Sequence, residues 1–204
     1  MKVAIINYGM GNLKSIIGSL NHLGIQDIIV TSVASEIDDC DKIILPGVGA
    51  FKEAMKNIKK LNLQKSLELN VIEKKKPILG ICLGMQLMAS FSEEGGFTKG
   101  LNYINGGVNK FEEGSLKIPH IGVNLVETST KSKIYSGIKN SNCQFYFVHS
   151  YKLELNENCV VGKTQYISKF ISSFEKDNIV GVQFHPELSQ SNGLKVISNF
   201  LSKI

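Results

Sequence analysis

Two short stretches of the chain carry residue types that together support nucleophilic chemistry. Cys82 sits in Gly80–Gly84 (GICLG), and His185 and Glu187 close Gly181–Glu187 (GVQFHPE). Cys82 follows an apolar run and precedes a helical pattern. Small residues there permit a sharp strand-to-helix turn, which lifts the side chain out of the backbone. A helix start also favours a thiolate, because its free N–H groups attract negative charge. An isolated cysteine is more often a small buried hydrophobe; the elbow context shifts Cys82 toward nucleophile. Extended backbone sends residues i and i+2 to one side. That predicts Glu187 accepting a hydrogen bond from one ring nitrogen of His185 and leaving the other for a thiol. Without Cys82, the pair would read as a packed histidine beside a solvated glutamate.

Pro46–Gly49 (PGVG) ends a further apolar run. Its glycines let backbone N–H groups point into a site and stabilise the oxygen of a tetrahedral intermediate, with Leu83 N–H as a second donor. A plain Pro-Gly turn is the competing reading. His149 is open to a reading as a second base.

These residues need a scaffold that gathers chain segments far apart in sequence. Val3–Asn7, Pro77–Ile81 and Ile179–Phe184 are largely apolar runs of strand length, as expected for strands buried on both faces, and Ile28–Val30 and Lys42–Leu45 read as two further strands. Leu13, Ile16, Ile17, Leu20 and Leu23 recur at helical spacing between a candidate N-cap, Asn12, and a stop, Gly24. One or two helices are expected between Ala50 and Lys75, another over Leu83–Ser90, and a closing one over Leu194–Leu201. The alternation predicts an α/β fold with a doubly wound, mostly parallel sheet, whose carboxyl edge holds the ligands. From Gly95 to about Tyr166, turns separate short runs such as Gly122–Val126 and Gln144–Val148, which read as added antiparallel strands. No linker or repeat interrupts the chain, so residues 1–204 are read as one domain.

The 204 residues carry a net charge of +5, and all 23 basic residues are lysines. Nucleic-acid readout draws heavily on arginine, so scattered lysines without it argue against a nucleic-acid partner. Cys40, Cys82, Cys143 and Cys159 match no zinc spacing. No apolar run is long enough to span a bilayer, and no secretion signal is evident, so the expectation is a cytoplasmic protein with reduced thiols.

Taken together, PGVG at 46–49, GICLGMQ at 80–86 and GVQFHPE at 181–187 resemble the triad-type (class I) glutamine amidotransferases. Within that family, YGMGNLKS at 8–15, SEEGG at 92–96, IPHIGVN at 118–124 and FYFVHSY at 145–151 bring the chain closest to the glutaminase subunits of imidazole glycerol phosphate synthases. The resemblance spans nearly the whole chain and implies the flavodoxin-like fold of this family. It implies that Cys82 is the nucleophile, His185 the general base and acid, and Glu187 its orienter. It further implies that Gly47, Gly49, Leu83 and Gln86 hold glutamine and the oxyanion, and that backbone at Ser150 and Tyr151 contacts the substrate's α-amino and carboxylate groups. His149 becomes a structural residue of the pocket wall, His120 a structural or interface residue, and His22 a helix-surface residue.

No metal or organic cofactor is implied. The implied partner is a (β/α)₈ synthase, or cyclase, subunit in a heterodimer, which receives the ammonia and makes imidazole glycerol phosphate and aminoimidazole carboxamide ribonucleotide. Two positions depart from the family pattern: Val123 where tryptophan is usual, and Leu188 where lysine is common. Both lie toward the partner in the family. They keep open a second reading, a paralogous glutaminase that feeds a different synthase, such as one of surface-sugar biosynthesis.

Overall fold

The computed structural model describes residues 1–114 and 116–204. The first half alternates strand and helix as expected: β1 (Val3–Ile6), α1 (Leu13–His22), β2 (Ile28–Thr31), α2 (Ala34–Asp38), β3 (Lys42–Leu45), α3 (Phe51–Lys60), α4 (Leu63–Glu68), β4 (Ile78–Ile81) and α5 (Leu83–Leu87). Asn12 caps α1 by accepting from Ser15 N–H, and Gly24 follows with φ +80°. Three features depart from expectation. The short α2 has only Ile37 buried, too little to mark a period. A π-helical turn, Leu69–Glu73, continues α4. Helix α5 is also shorter than the apolar run suggested, ending at Leu87 because the chain must turn into the next strand.

The second half supplies β5 (Phe91–Ser92), β6 (Thr98–Lys99), β7 (Gly106–Lys110), β8 (His120–Leu125), β9 (Gln144–His149), β10 (Tyr151–Leu155), β11 (Val160–Gln165), β12 (Lys169–Lys176), β13 (Ile179–Val182) and α6 (Gln190–Lys203). Strand order in the main sheet is β2-β1-β3-β4-β13-β12-β10-β7-β5-β6, with β11 paired to β12. The pairs from β2 through β13 are parallel, whereas β12, β10 and β7 join antiparallel. The added strands therefore do extend the sheet, with one exception: β8 and β9 leave it and form a separate antiparallel ribbon.

Successive residues of the parallel strands point to opposite faces. Val3, Ile5, Ile44, Leu79, Ile81, Val180 and Val182 pack with Ile16 and Leu20 of α1 and Val196, Ile197 and Phe200 of α6. Ala4, Ile6, Ile43, Leu45 and Ile78 pack with Ile37, Met55, Ile58 and Leu67 of α2 to α4. Burial on both faces explains why these strands read as continuous apolar runs.

Since β1, β3, β4 and β13 are parallel, their carboxyl ends share one edge. There β1 runs into Tyr8–Asn12, β3 into Pro46–Gly49, β4 into Cys82 and β13 into Gln183–His185. Gly84 is the tight point: a Cβ there would overlap the carbonyl oxygen of Leu45. Gly84→Ala is expected to destabilise the fold by about 3 kcal/mol, as severe overpacking does, read as a lowered denaturant midpoint.

Candidate active site

Cys82 occupies the turn between β4 and α5 with φ +53° and ψ −111°. Such backbone is strained for a residue with a Cβ, at a cost of about 1–3 kcal/mol. Both neighbouring elements hold it there. Cys82 N–H extends the β4–β13 ladder by donating to Val182 O at 2.8 Å, and Cys82 O accepts the helical bond from Gln86 N–H at 3.2 Å. Cys82 is 6% exposed, and its Sγ lies 3.8 Å from Val148 O.

His185 and Glu187 meet as expected, by a different local geometry. Nδ1 lies 2.8 Å from Glu187 Oε1, and both side chains are buried. Glu187, however, sits in a 3-10 turn, Pro186–Leu188, rather than in continued extended strand. The turn folds the carboxylate back under the ring. Nδ1 must be the protonated nitrogen facing the carboxylate, and buried Nε2 makes no other hydrogen bond among the described residues. Burial alone would lower the imidazole pKa. The nearby Cys82 and the hydrogen bond and charge of Glu187 outweigh it and raise the pKa well above its ordinary value.

A cavity of about 300 Å³ opens in front of the thiol. Of the residues singled out from sequence, Gly49, Cys82, Leu83, Gln86, Ser150 and Tyr151 line it. Gly47 does not. It packs behind the loop, where a Cβ would stand 2.5 Å from the Tyr8 hydroxyl and 2.8 Å from Leu83 Cβ. Tyr8 in turn donates to Pro46 O at 2.6 Å, so the Tyr8–Asn12 segment braces the PGVG loop from below. Gly49 has φ +118°, a conformation open to glycine. His185 and Glu187 lie behind Cys82 and are not among the lining residues.

Glu94 lines the cavity without having been singled out. Its Oε2 accepts from Phe51 N–H at 2.8 Å, which anchors it at the start of α3. Among the described lining residues it is the one carboxylate, suited to an ammonium group. The SEEGG segment held the signal, but nothing local shows which glutamate turns inward.

His149 lines the cavity as a wall residue. Its Nδ1 donates to Tyr151 O at 2.8 Å. Since a carbonyl only accepts, Nε2 must accept from His120 Nδ1, 3.1 Å away. Asn124 then donates to His120 Nε2 at 3.3 Å. Phe147 and Tyr166 stack on His120. Burial lowers the His149 pKa to about 3, aided by the charges of His120 and His185, and burial lowers His120 to about 4. His22 is exposed at the end of α1.

Val123 and Leu188 are 66% and 46% exposed and meet in a second groove of about 310 Å³ that includes Tyr146 and Ser189. Tyr146 O accepts from His185 N–H at 2.9 Å, so this groove backs onto the histidine. Among the described residues, no group of three or more His, Cys, Asp or Glu could hold a metal, and no helix is long and apolar enough to cross a membrane.

The family described as glutamine amidotransferase class-I matches residues 4–204. The chain is 46% identical over 199 residues to imidazole glycerol phosphate synthase subunit HisH 1 of Campylobacter jejuni subsp. jejuni serotype O:23/36, covering 97% of this chain and 98% of the relative. It is 44% identical over 204 residues to imidazole glycerol phosphate synthase subunit HisH of Aquifex aeolicus, covering 100% and 97%. Among solved structures, one described as glutamine amidotransferase superposes with TM-score 0.76 at 16% identity, covering 98% of this chain and 97% of that chain. A glutamine amidotransferase from Thermotoga maritima gives 0.66 at 18%, covering 100% and 83%. These two likenesses speak to the fold.

The buried neutral histidines have a measurable consequence. Unfolded, both titrate near their ordinary 6.5; folded, they stay neutral until far lower pH. As pH falls from about 6.5 toward 4, the unfolded state binds the extra protons and stability is lost. His185, shifted upward, acts in the opposite sense at the alkaline end. In urea titrations, His149→Gln is expected to be less stable than the parent at pH 7.5 yet to lose less stability down to pH 4.5.

Proposed function

The chain belongs to the class-I glutamine amidotransferase family, and on that premise we propose that residues 1–204 act as one glutaminase domain, the ammonia-supplying subunit of an imidazole glycerol phosphate synthase in histidine biosynthesis. The observation that carries the catalytic part is the buried Glu187–His185 pair placed behind a strained cysteine that opens on a cavity. The Cys82 thiolate attacks the side-chain carboxamide carbon of glutamine. The developing oxyanion is met by backbone N–H groups from Leu83 and the Pro46–Gly49 loop. His185 gives its proton to the departing ammonia, leaving a γ-glutamyl thioester on Cys82. It then takes a proton from water, whose attack releases glutamate and regenerates the thiol site. Glu187 fixes the ring and balances its charge. Gln86, Ser150 and Tyr151 hold the amino-acid end of glutamine, with Glu94 available to its ammonium group.

The partner is a (β/α)₈ synthase subunit. The surface supports a docked protein: β8 turns Ile121, Val123 and Leu125 outward, a row of exposed apolar side chains on a two-stranded ribbon. Contiguous exposed apolar surface of this kind marks an interaction site. Val123 and Leu188 belong to it, and the groove they line backs onto His185, the histidine that releases ammonia.

Cys82→Ala is expected to abolish glutamine-dependent synthesis by the reconstituted complex while ammonia-dependent synthesis persists. Normal glutamate release by that variant would defeat the assignment of the nucleophile. His185→Ala should lose about a hundredfold to ten-thousandfold in kcat, and Glu187→Gln should lose less, since it disturbs only orientation and charge. Co-purification with the synthase, followed by an assay of which acceptor consumes the ammonia, tests the pathway. Stimulation by a sugar-modifying synthase alone would overturn the histidine assignment.

A further inference from the structure

Behind the nucleophile lies a buried amide that the mechanism above leaves unused. Gln183 follows β13 directly and is fully buried. Its backbone N–H donates to Ser172 O at 2.8 Å, which locks the residue to β12. Its side-chain Nε2 lies 3.6 Å from Cys82 Sγ. Its Oε1 lies 3.0 Å from Nε2 of Gln86.

The orientation of both amides follows from a single acceptor. Tyr151 O can only accept, and it lies 3.2 Å from the Gln86 amide. Gln86 must therefore aim its NH₂ group inward, with one hydrogen toward Tyr151 O and the other toward Gln183. Gln183 must answer with its oxygen. Its own NH₂ group is then left facing the sulfur. His149 Nδ1–H donates to the same Tyr151 O and holds that carbonyl in place.

We propose that Gln183 is a further catalytic residue, a hydrogen-bond donor to Cys82 Sγ that favours the thiolate and that Gln86 and Tyr151 O hold in register. This rests on the assignment of Cys82 as nucleophile. The sulfur has two polar neighbours of opposite effect. Val148 O, at 3.8 Å, can only accept and so favours the protonated thiol. The Gln183 N–H can only donate and so persists when the thiol ionises. Hydrogen bonds to an ionised acceptor are about twice as strong as neutral ones, so the balance tips toward the anion. The same amide pair connects the nucleophile to Gln86 and Tyr151, both of which line the cavity. The titratable groups facing Cys82 are His185 with Glu187 behind it, Tyr8 from the loop after β1, and His149 and Glu94 in the cavity wall. Replacing Gln183 leaves all of these in place.

The test is the rate of Cys82 alkylation by iodoacetamide against pH in the full chain. The reaction joins sulfur to the acetamide carbon and expels iodide, and it reads the thiolate without requiring glutamine. Gln183→Met keeps the volume and removes the donor. Its acid limb is expected to move up by about one pH unit, an approximately tenfold slower reaction on the limb, with the alkaline plateau within about twofold of the parent. Gln86→Met removes the partner that orients Gln183 and is expected to shift the limb in the same direction by less. A folded Gln183→Met protein, shown by near-UV circular dichroism, whose acid limb coincides with the parent's would overturn the proposal. Should Gln183→Met fail to fold, an unmoved limb in Gln86→Met overturns it equally. Glutamate release by the parent complex is measured alongside. Its absence would overturn the glutaminase reading while the alkylation profile still reports on Gln183.

Discussion

The site depends on the seat of Cys82 between two parallel strands and a helix that starts without a spacer. Gly84 packs so closely on Leu45 that no side chain fits there, which presses α5 onto the end of β3. That contact leaves the chain no room for a gradual turn, and Cys82 takes the left-handed backbone that results. On its other side the β4–β13 ladder, with Ile81 opposite Val182, carries one rung further to Cys82 N–H. The register is therefore also what delivers chemistry: the residues just past Val182 are Gln183, Phe184 and His185. A slip of one residue would exchange the side chains that face the cysteine with those that face the core.

The strain at the elbow is affordable because its surroundings are over-determined. The PGVG loop is held by Tyr8 below and by α5 beside it. Phe184, the residue before His185, is fully buried and stacks on Phe145 with ring centroids 4.0 Å apart. Ser189 Oγ donates to His185 O at 2.6 Å, and Tyr146 N–H donates to Ser189 Oγ at 3.0 Å. These bonds tie the 3-10 turn bearing Glu187 to β9, across which the groove of Val123 and Leu188 lies. A protein bound in that groove would press on the elements that fix His185 rather than on the histidine itself.

Legibility in the sequence followed the range of the interactions. The parallel strands could be read because burial on both faces leaves almost only apolar residues, as in VAII, ILGI and the IIL that follows Lys42. The elbow and the His-x-Glu pair could be read because each is local. The ribbon β8–β9 was legible as two strands but not as a departure from the sheet, since its pairing is independent of any local pattern. Glu187 was placed correctly beside His185 for a reason that proved different, because Pro186 starts a turn where extended strand was expected. Glu94 and Gln183 stayed silent. A glutamate in SEEGG and a glutamine in GVQFHPE acquire meaning only from α3 and from Cys82, which lie far off in sequence.

His185 and His149 lie near each other, close enough for charge on one to weigh on the other, yet their environments push them apart. His185 has a buried carboxylate on Nδ1 and Cys82 nearby, so the cationic form is favoured. His149 has a carbonyl on Nδ1 and another imidazole on Nε2, among Phe111, Phe147 and Phe170. Neither partner is an anion, and burial keeps it neutral. Each of its nitrogens is already committed, so it has no proton to give to ammonia and no free lone pair to take one from water. Proximity to the cavity therefore does not select the base. The carboxylate does, and that is why the histidine set back behind the cysteine, rather than the one in the wall, is suited to carry the proton.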